Sequence, residues 1–156
     1  MFLALMVSCW SPEQLCAGRG DTSLVLGEGS GTEFISFEDG QAVEIMTPPQ
    51  GGFGLPFRAR SLGLRIADQF LDLEMRTEVD GEVLGDFLYQ DMIAYCQEDG
   101  SGLMWGTATP IDHPDFVDAE DLEALRGKEA LMVVTATDAM GDQVVAEAWV
   151  EISLRE

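Results

Sequence analysis

Phe70-Leu71-Asp72-Leu73-Glu74-Met75-Arg76-Thr77-Glu78-Val79 changes character at every step. Leu71, Leu73, Met75 and Thr77 fall on one side of an extended chain, and Asp72, Glu74, Arg76 and Glu78 on the other. A period of two marks a β-strand with one face on a core and one on water, the pattern of an antiparallel sheet. Asp80-Gly81 follows at once, a turn pair that tolerates positive φ, and sends the chain into a partner strand over Val83 to Gln90.

The same rhythm continues outward in both directions. Downstream lie Met92 to Gln97 and Leu103 to Thr109, separated by the loop Glu98-Asp99-Gly100-Ser101-Gly102. The chain closes with Ala130 to Thr137, a turn at Ala139-Met140-Gly141-Asp142, and Val144 to Leu154. In that last run Ala146, Ala148, Val150, Ile152 and Leu154 share a face. Upstream, Ser23 to Leu26 is a first strand, and Glu33 to Phe37 and Ala42 to Met46 read as a hairpin around Glu38-Asp39-Gly40-Gln41. Phe53, Leu55, Phe57 and Ala59 alternate with Gly54, Pro56, Arg58 and Arg60, and Pro56 predicts an edge strand or a bulge because it has no amide hydrogen to donate. Short strands joined by tight turns predict an all-β fold, an antiparallel immunoglobulin-like β-sandwich.

One segment departs from the pattern. In Asp112 to Lys128, Asp118 is a candidate cap, Leu122 and Leu125 are three apart, and Gly127 suits a helix end, so one short helix is expected to cross between the sheets. The predicted organisation is a signal or lipobox segment over 1–9, a tether over 10–22 with Ser11-Pro12, Gly18 and Gly20, and the sandwich over 23–156.

Composition narrows the partners. Twenty-nine acidic against 8 basic residues give a net charge of −21. A field of that sign repels phosphate backbones and anionic lipid surfaces, and no basic cluster offsets it, so nucleic acid is not an expected partner. Met1 to Ser8 is uncharged and nearly all apolar, and Met6-Val7-Ser8-Cys9 is similar to a bacterial lipobox, with Cys9 as the lipidated residue. A short buried strand, or a frayed terminus with a fortuitous cysteine, is the other reading. Attachment to a membrane would then be through lipid alone. The remaining cysteines, Cys16 and Cys96, form a disulfide pair in an oxidising compartment, or else stay as two buried thiols that never meet. No zinc or other metal set has matching spacing, and no cofactor is expected.

From Leu24 to Leu64 the sequence resembles a group of uncharacterised lipoproteins of myxobacteria and their relatives. The resemblance is carried by Leu26-Gly27-Glu28-Gly29, Phe34, Phe37, Asp39-Gly40, Pro49-Gln50-Gly51-Gly52, Arg58, Arg60 and Gly63-Leu64, and again by Thr137-Asp138 to Gly141-Asp142. It implies an envelope lipoprotein with a β-sandwich and carries no functional residue over.

His113, the sole histidine, lies in Asp112-His113-Pro114-Asp115 with no nucleophile indicated, and reads as a solvated loop residue. Gly27-Glu28-Gly29-Ser30-Gly31 lacks the Lys-Ser/Thr ending of a phosphate loop and reads as a turn. Asp112, Asp115, Asp118, Glu120 and Asp121 do not match a calcium loop and read as a solvated acidic face. Trp105 sits mid-strand and is expected in the core. Trp149 falls by parity on the polar face with Val145, which makes it a candidate partner-contact residue, or else one covered by a helix or neighbouring strand. These readings add up to a non-enzymatic, lipid-anchored domain in the bacterial cell envelope that acts by protein or carbohydrate contact. A structural envelope component without a discrete ligand and a carboxylate-dependent hydrolase are the alternatives.

Overall fold

The structure, a computed structural model, describes residues 16–18, 20–47, 51–66 and 70–155. Cys9 and the lipobox segment lie outside the described residues. In chain order the strands are β1 (Ser23–Glu28), β2 (Ile35–Ser36), β3 (Gln41–Glu44), β4 (Phe53–Leu62), β5 (Phe70–Val79), β6 (Glu82–Ile93), β7 (Tyr95–Cys96), β8 (Gly102–Ile111), β9 (Glu129–Thr137) and β10 (Gln143–Ser153). No helix among the described residues is long and apolar enough to cross a membrane.

The strands form two sheets, in the orders β2-β1-β4-β8-β7 and β3-β10-β9-β5-β6. Taking β1-β4-β8-β7 as A-B-E-D and β10-β9-β5-β6 as G-F-C-C′ gives the strand order of a variable-type immunoglobulin domain. The sandwich departs from antibody domains in its cysteines, because neither β4 nor β9 carries one.

Alternation along β5 does what its sequence dictates: Leu71, Leu73, Met75 and Thr77 are buried beneath the facing sheet. Leu55, Phe57 and Ala59 of β4, Met104 and Ile111 of β8, Met132 and Val134 of β9, and Val150 and Ile152 of β10 complete the core. At its centre the Thr77 hydroxyl donates to Thr109 across the two sheets at 2.8 Å, so each buried polar atom satisfies the other.

Several expectations need correction. Residues 33–46 do not form a hairpin. β2 pairs with β1, whereas β3 runs parallel to β10, with Val150 opposite Gln41 and Ser153 opposite Glu44. The turn itself is present, with Gly40 at φ 74° and Gln41 N–H on the Glu38 carbonyl. It carries the chain across the open side of the sandwich to the other sheet. Turn chemistry fixes a local reversal; it does not choose the next partner. β4 is an interior strand between β1 and β8, not an edge, and the irregularity forecast from Pro56 appears as a register shift between Phe57 and Ala59. The expected crossing helix is a single 3₁₀ turn, Asp121–Leu125, which buries Leu122 and Leu125. Five residues close too few backbone bonds to sustain an α-helix. Its entry is organised by the Asp121 carboxylate, which accepts from Val117 N–H (3.1 Å) and Asp118 N–H (2.9 Å), rather than by an Asp118 cap. Finally, within the segment read as a tether, Cys16 is 2% exposed and joined to Cys96 by a disulfide, and Ala17 bridges to Arg65, so these two residues are tied to the domain.

Candidate functional site

β10 has two faces. Ala146, Ala148, Val150 and Ile152 point inward and are buried; Val145, Glu147, Trp149 and Glu151 point outward. Strand register extends this face across the sheet. Trp149 pairs with Leu131, which pairs with Glu78, which pairs with Val83; the adjacent parallel row runs Glu147, Val133, Arg76, Asp86, and the next Val145, Thr135, Glu74, Leu88. Among the described residues no neighbouring strand or helix hides the indole, and Trp149 is 45% exposed. The parity reading of this residue and its placement in the structure agree.

Trp149 also stands at a break in pairing. β3 covers β10 only from Val150 to Ser153, and the Gly40 N–H reaches the Trp149 carbonyl at 2.9 Å. On the opposite sheet, β2 covers β1 only at Gly27 and Glu28, with Phe37 N–H on the Leu26 carbonyl. Between the two partly covered edges lies a shallow cavity of about 230 Å³. Leu24, Leu26, Phe37, Ala146 and Ala148 form its apolar lining; Glu38, Asp39 and Glu147 stand around it with Trp149. Small alanines on β10 leave the space, and the acidic side chains, all exposed, set the sign of its field.

A second aromatic group lies on the outer face of the other sheet. Trp105 is half-buried and stacks on Tyr95, with ring centroids 4.2 Å apart and planes within 11°, and the Arg58 guanidinium lies 5.3 Å from the indole centroid. The core expectation for Trp105 is therefore wrong. Met104 takes the inward position, opposite Ala59, and Gly106 at φ 81° bends the strand beside it. A glycine after a tryptophan in a strand was the available signal for that bend. Arg58 has a structural task as well: it donates to the carbonyls of Gly31 (2.7 Å) and Glu33 (3.0 Å), pinning the glycine-rich turn over the sheet. Nearby, Arg60 pairs with Asp99, and Ser101 donates its hydroxyl (2.6 Å) and N–H (3.0 Å) to the same carboxylate. These hydrogen bonds, with the Arg60 charge adding in the same direction, hold the Asp99 carboxyl below the usual carboxylate range.

His113 is more enclosed than a solvated loop residue. Its Nε2 lies 3.3 Å from Glu82, its Nδ1 accepts from Asp115 N–H at 3.3 Å, and its ring sits 5.8 Å from that of Phe116. Both ring nitrogens are engaged in holding the loop against the start of β6. Among the described residues no group of three or more His, Cys, Asp or Glu is placed to hold a metal ion.

Known proteins add little to this geometry. No family model matches the chain, and no curated protein matches it. Among solved structures, that of murine CRIg is similar over 88% of this chain and all of that one, at 14% identity and a TM-score of 0.31.

Proposed function

We propose that this chain is a non-enzymatic, lipid-anchored domain of the bacterial cell envelope that works by contact with another envelope protein at the Trp149 edge. The observation that carries the reading is the 45% exposed Trp149 beside a cavity of mixed apolar and acidic lining, flanked by strands that are incompletely paired among the described residues. An exposed aromatic next to a small pocket is the chemistry of an interface anchor. Strand edges with spare backbone groups favour an extended protein segment, which adds hydrogen bonds of its own. The flanking Glu38, Asp39 and Glu147 favour a segment with basic residues beside its apolar ones.

Carbohydrate is the second reading, because an indole face with carboxylates beside it suits a sugar ring, apolar on one side and hydroxylated at its edges. The hydrolase reading is less well supported, since the carboxylates around the cavity are exposed, whereas acid–base work needs a pair positioned in a water-excluding cleft.

Two measurements test the proposal. Intact mass of membrane-extracted protein, with Cys9→Ser as control, is expected to show a diacylglyceryl addition on the wild type alone; an unmodified chain beginning at Met1 overturns the anchor. Crosslinking in envelope preparations, wild type against Trp149→Ala, is expected to lose one protein adduct in the variant. Equal adducts from both, or retention on a glycan array that depends on Trp149, overturn the protein-contact reading.

A further inference from the structure

β6 ends the second sheet, and its outer side is only partly protected. At its start the Asp112 N–H donates to the Leu84 carbonyl at 2.8 Å. Gly85 lets β8 approach closely, since a Cβ there would stand 2.8 Å from the Pro110 carbonyl oxygen. From Asp86 to Gln90 no strand among the described residues pairs with that side. This open run is Asp86-Phe87-Leu88-Tyr89-Gln90, with Phe87 55%, Leu88 53% and Tyr89 37% exposed. Phe87 pairs with Met75 and Tyr89 with Leu73, placing both rings on the inward side of the sheet, 6.4 Å apart and edge to face. Leu88 pairs with Glu74 and lies on the outward side. An open edge with apolar residues on both faces, and neither lysine nor proline within it, is a template for another strand.

We propose that the occupant of this edge is β6 of a second copy, joined antiparallel about a two-fold axis at Leu88. Side-chain parity requires each residue to meet one on the same face. Centring on Leu88 meets that requirement and pairs like with like: Phe87 against Tyr89 of the other copy, Leu88 against Leu88, and Asp86 against Gln90, whose amide donates to the carboxylate. Moving the axis one residue either way sets Leu88 against Asp86, or Phe87 against Asp91. The run is self-complementary in one register only.

Two features set its strength. Five paired residues bury less than the roughly 1,200–2,000 Å² of a stable interface, so the association is weak and concentration-dependent. Each copy carries a net charge of −21, so the copies repel at long range and salt strengthens their contact. A two-fold contact uses the same edge on both copies and leaves neither free, so assembly through this edge stops at the dimer.

Sedimentation velocity across a concentration series, at low and at about 0.5 M salt, tests this. The expected result is a monomer–dimer equilibrium that shifts toward dimer as salt rises. Leu88→Asp sets two like charges opposite each other and is expected to weaken dimerisation about tenfold or more. Gln90→Lys faces Asp86 of the other copy and is expected to strengthen it about threefold at low salt, a gain that misfolding cannot imitate. Val145→Asp, exposed on the far edge of the same sheet, is the control and should change nothing. A wild type that stays monomeric at high salt, species heavier than a dimer, or equal effects of Leu88→Asp and Val145→Asp overturn the proposal.

Discussion

Breaking the Cys16–Cys96 bond should remove a large share of the domain's stability. The two cysteines are 80 residues apart, with Cα atoms separated by 5.9 Å. Cross-linking a loop of that length restricts the unfolded chain, and the loop-closure relation gives about 4.5 kcal/mol at 25 °C as an upper value. Domains of this size have roughly 5–15 kcal/mol in total, so the reduced protein is expected to be marginal. The assay is guanidinium unfolding of the oxidised protein against a Cys16→Ala/Cys96→Ala double variant, which avoids leaving one free thiol. The variant should have a lower midpoint and a steeper slope, since its denatured state exposes more surface. Limited proteolysis should then cleave near residues 16–22, which the bond holds down. A loss below about 1 kcal/mol with an unchanged slope would refute the loop-closure reasoning.

The buried Thr77–Thr109 hydrogen bond supports a double-mutant cycle. Thr77→Val leaves the Thr109 hydroxyl without its buried partner and should cost about 1–3 kcal/mol, whereas Thr77→Val/Thr109→Val should be more stable than either single variant. Thermal melts decide it, and strict additivity counts against a coupled pair. The Asp99 carboxyl is held low in the folded state, so its hydrogen bonds stabilise the fold above the ordinary carboxylate value and are lost as pH falls through the lowered one. Asp99→Asn should therefore melt below the wild type at neutral pH, and the gap should close below about pH 4; a gap that widens in acid contradicts the sign.

The fold was legible where a strand has one wet and one dry face. β5 shows this best, since each apolar residue from Leu71 to Thr77 is buried and each charged one is turned outward. β10 repeats it, and the same parity placed Trp149 on the surface. Reading failed where local signals underdetermine long-range choices. Asp39-Gly40 specifies a turn, but only the completed sandwich decides that β3 meets β10 and not β2. Trp105 reads as core by its size, yet a bend at Gly106 and a guanidinium from β4 hold it on the outside. The Leu122–Leu125 spacing fits both an α-turn and a 3₁₀ turn, and the length of the segment settles it. Phe87-Leu88-Tyr89 did break the alternation visibly. Three consecutive apolar residues cannot all face a core in a strand, so at least one had to meet solvent or a partner.

The two candidate contact regions follow from one property of sandwiches. A sheet closed on itself has no edges, but two stacked sheets have four, and each exposes backbone groups that seek partners. Here one side is partly closed by β2, β3 and Phe37, leaving the cavity beside Trp149; the other is closed at its start by Asp112 and Gly85, leaving Asp86 to Gln90. Asp86 stands at one end of the open β6 run with Asp91 just past the other, and Glu38 and Glu147 line the rim of the cavity. Like charge on every copy discourages indiscriminate edge pairing at a distance, while close range still admits a strand whose residues match. Specific contact in this protein is thus a matter of edges guarded by acid, and a partner must either bring basic residues or, as β6 does to itself, fall into register between the charges.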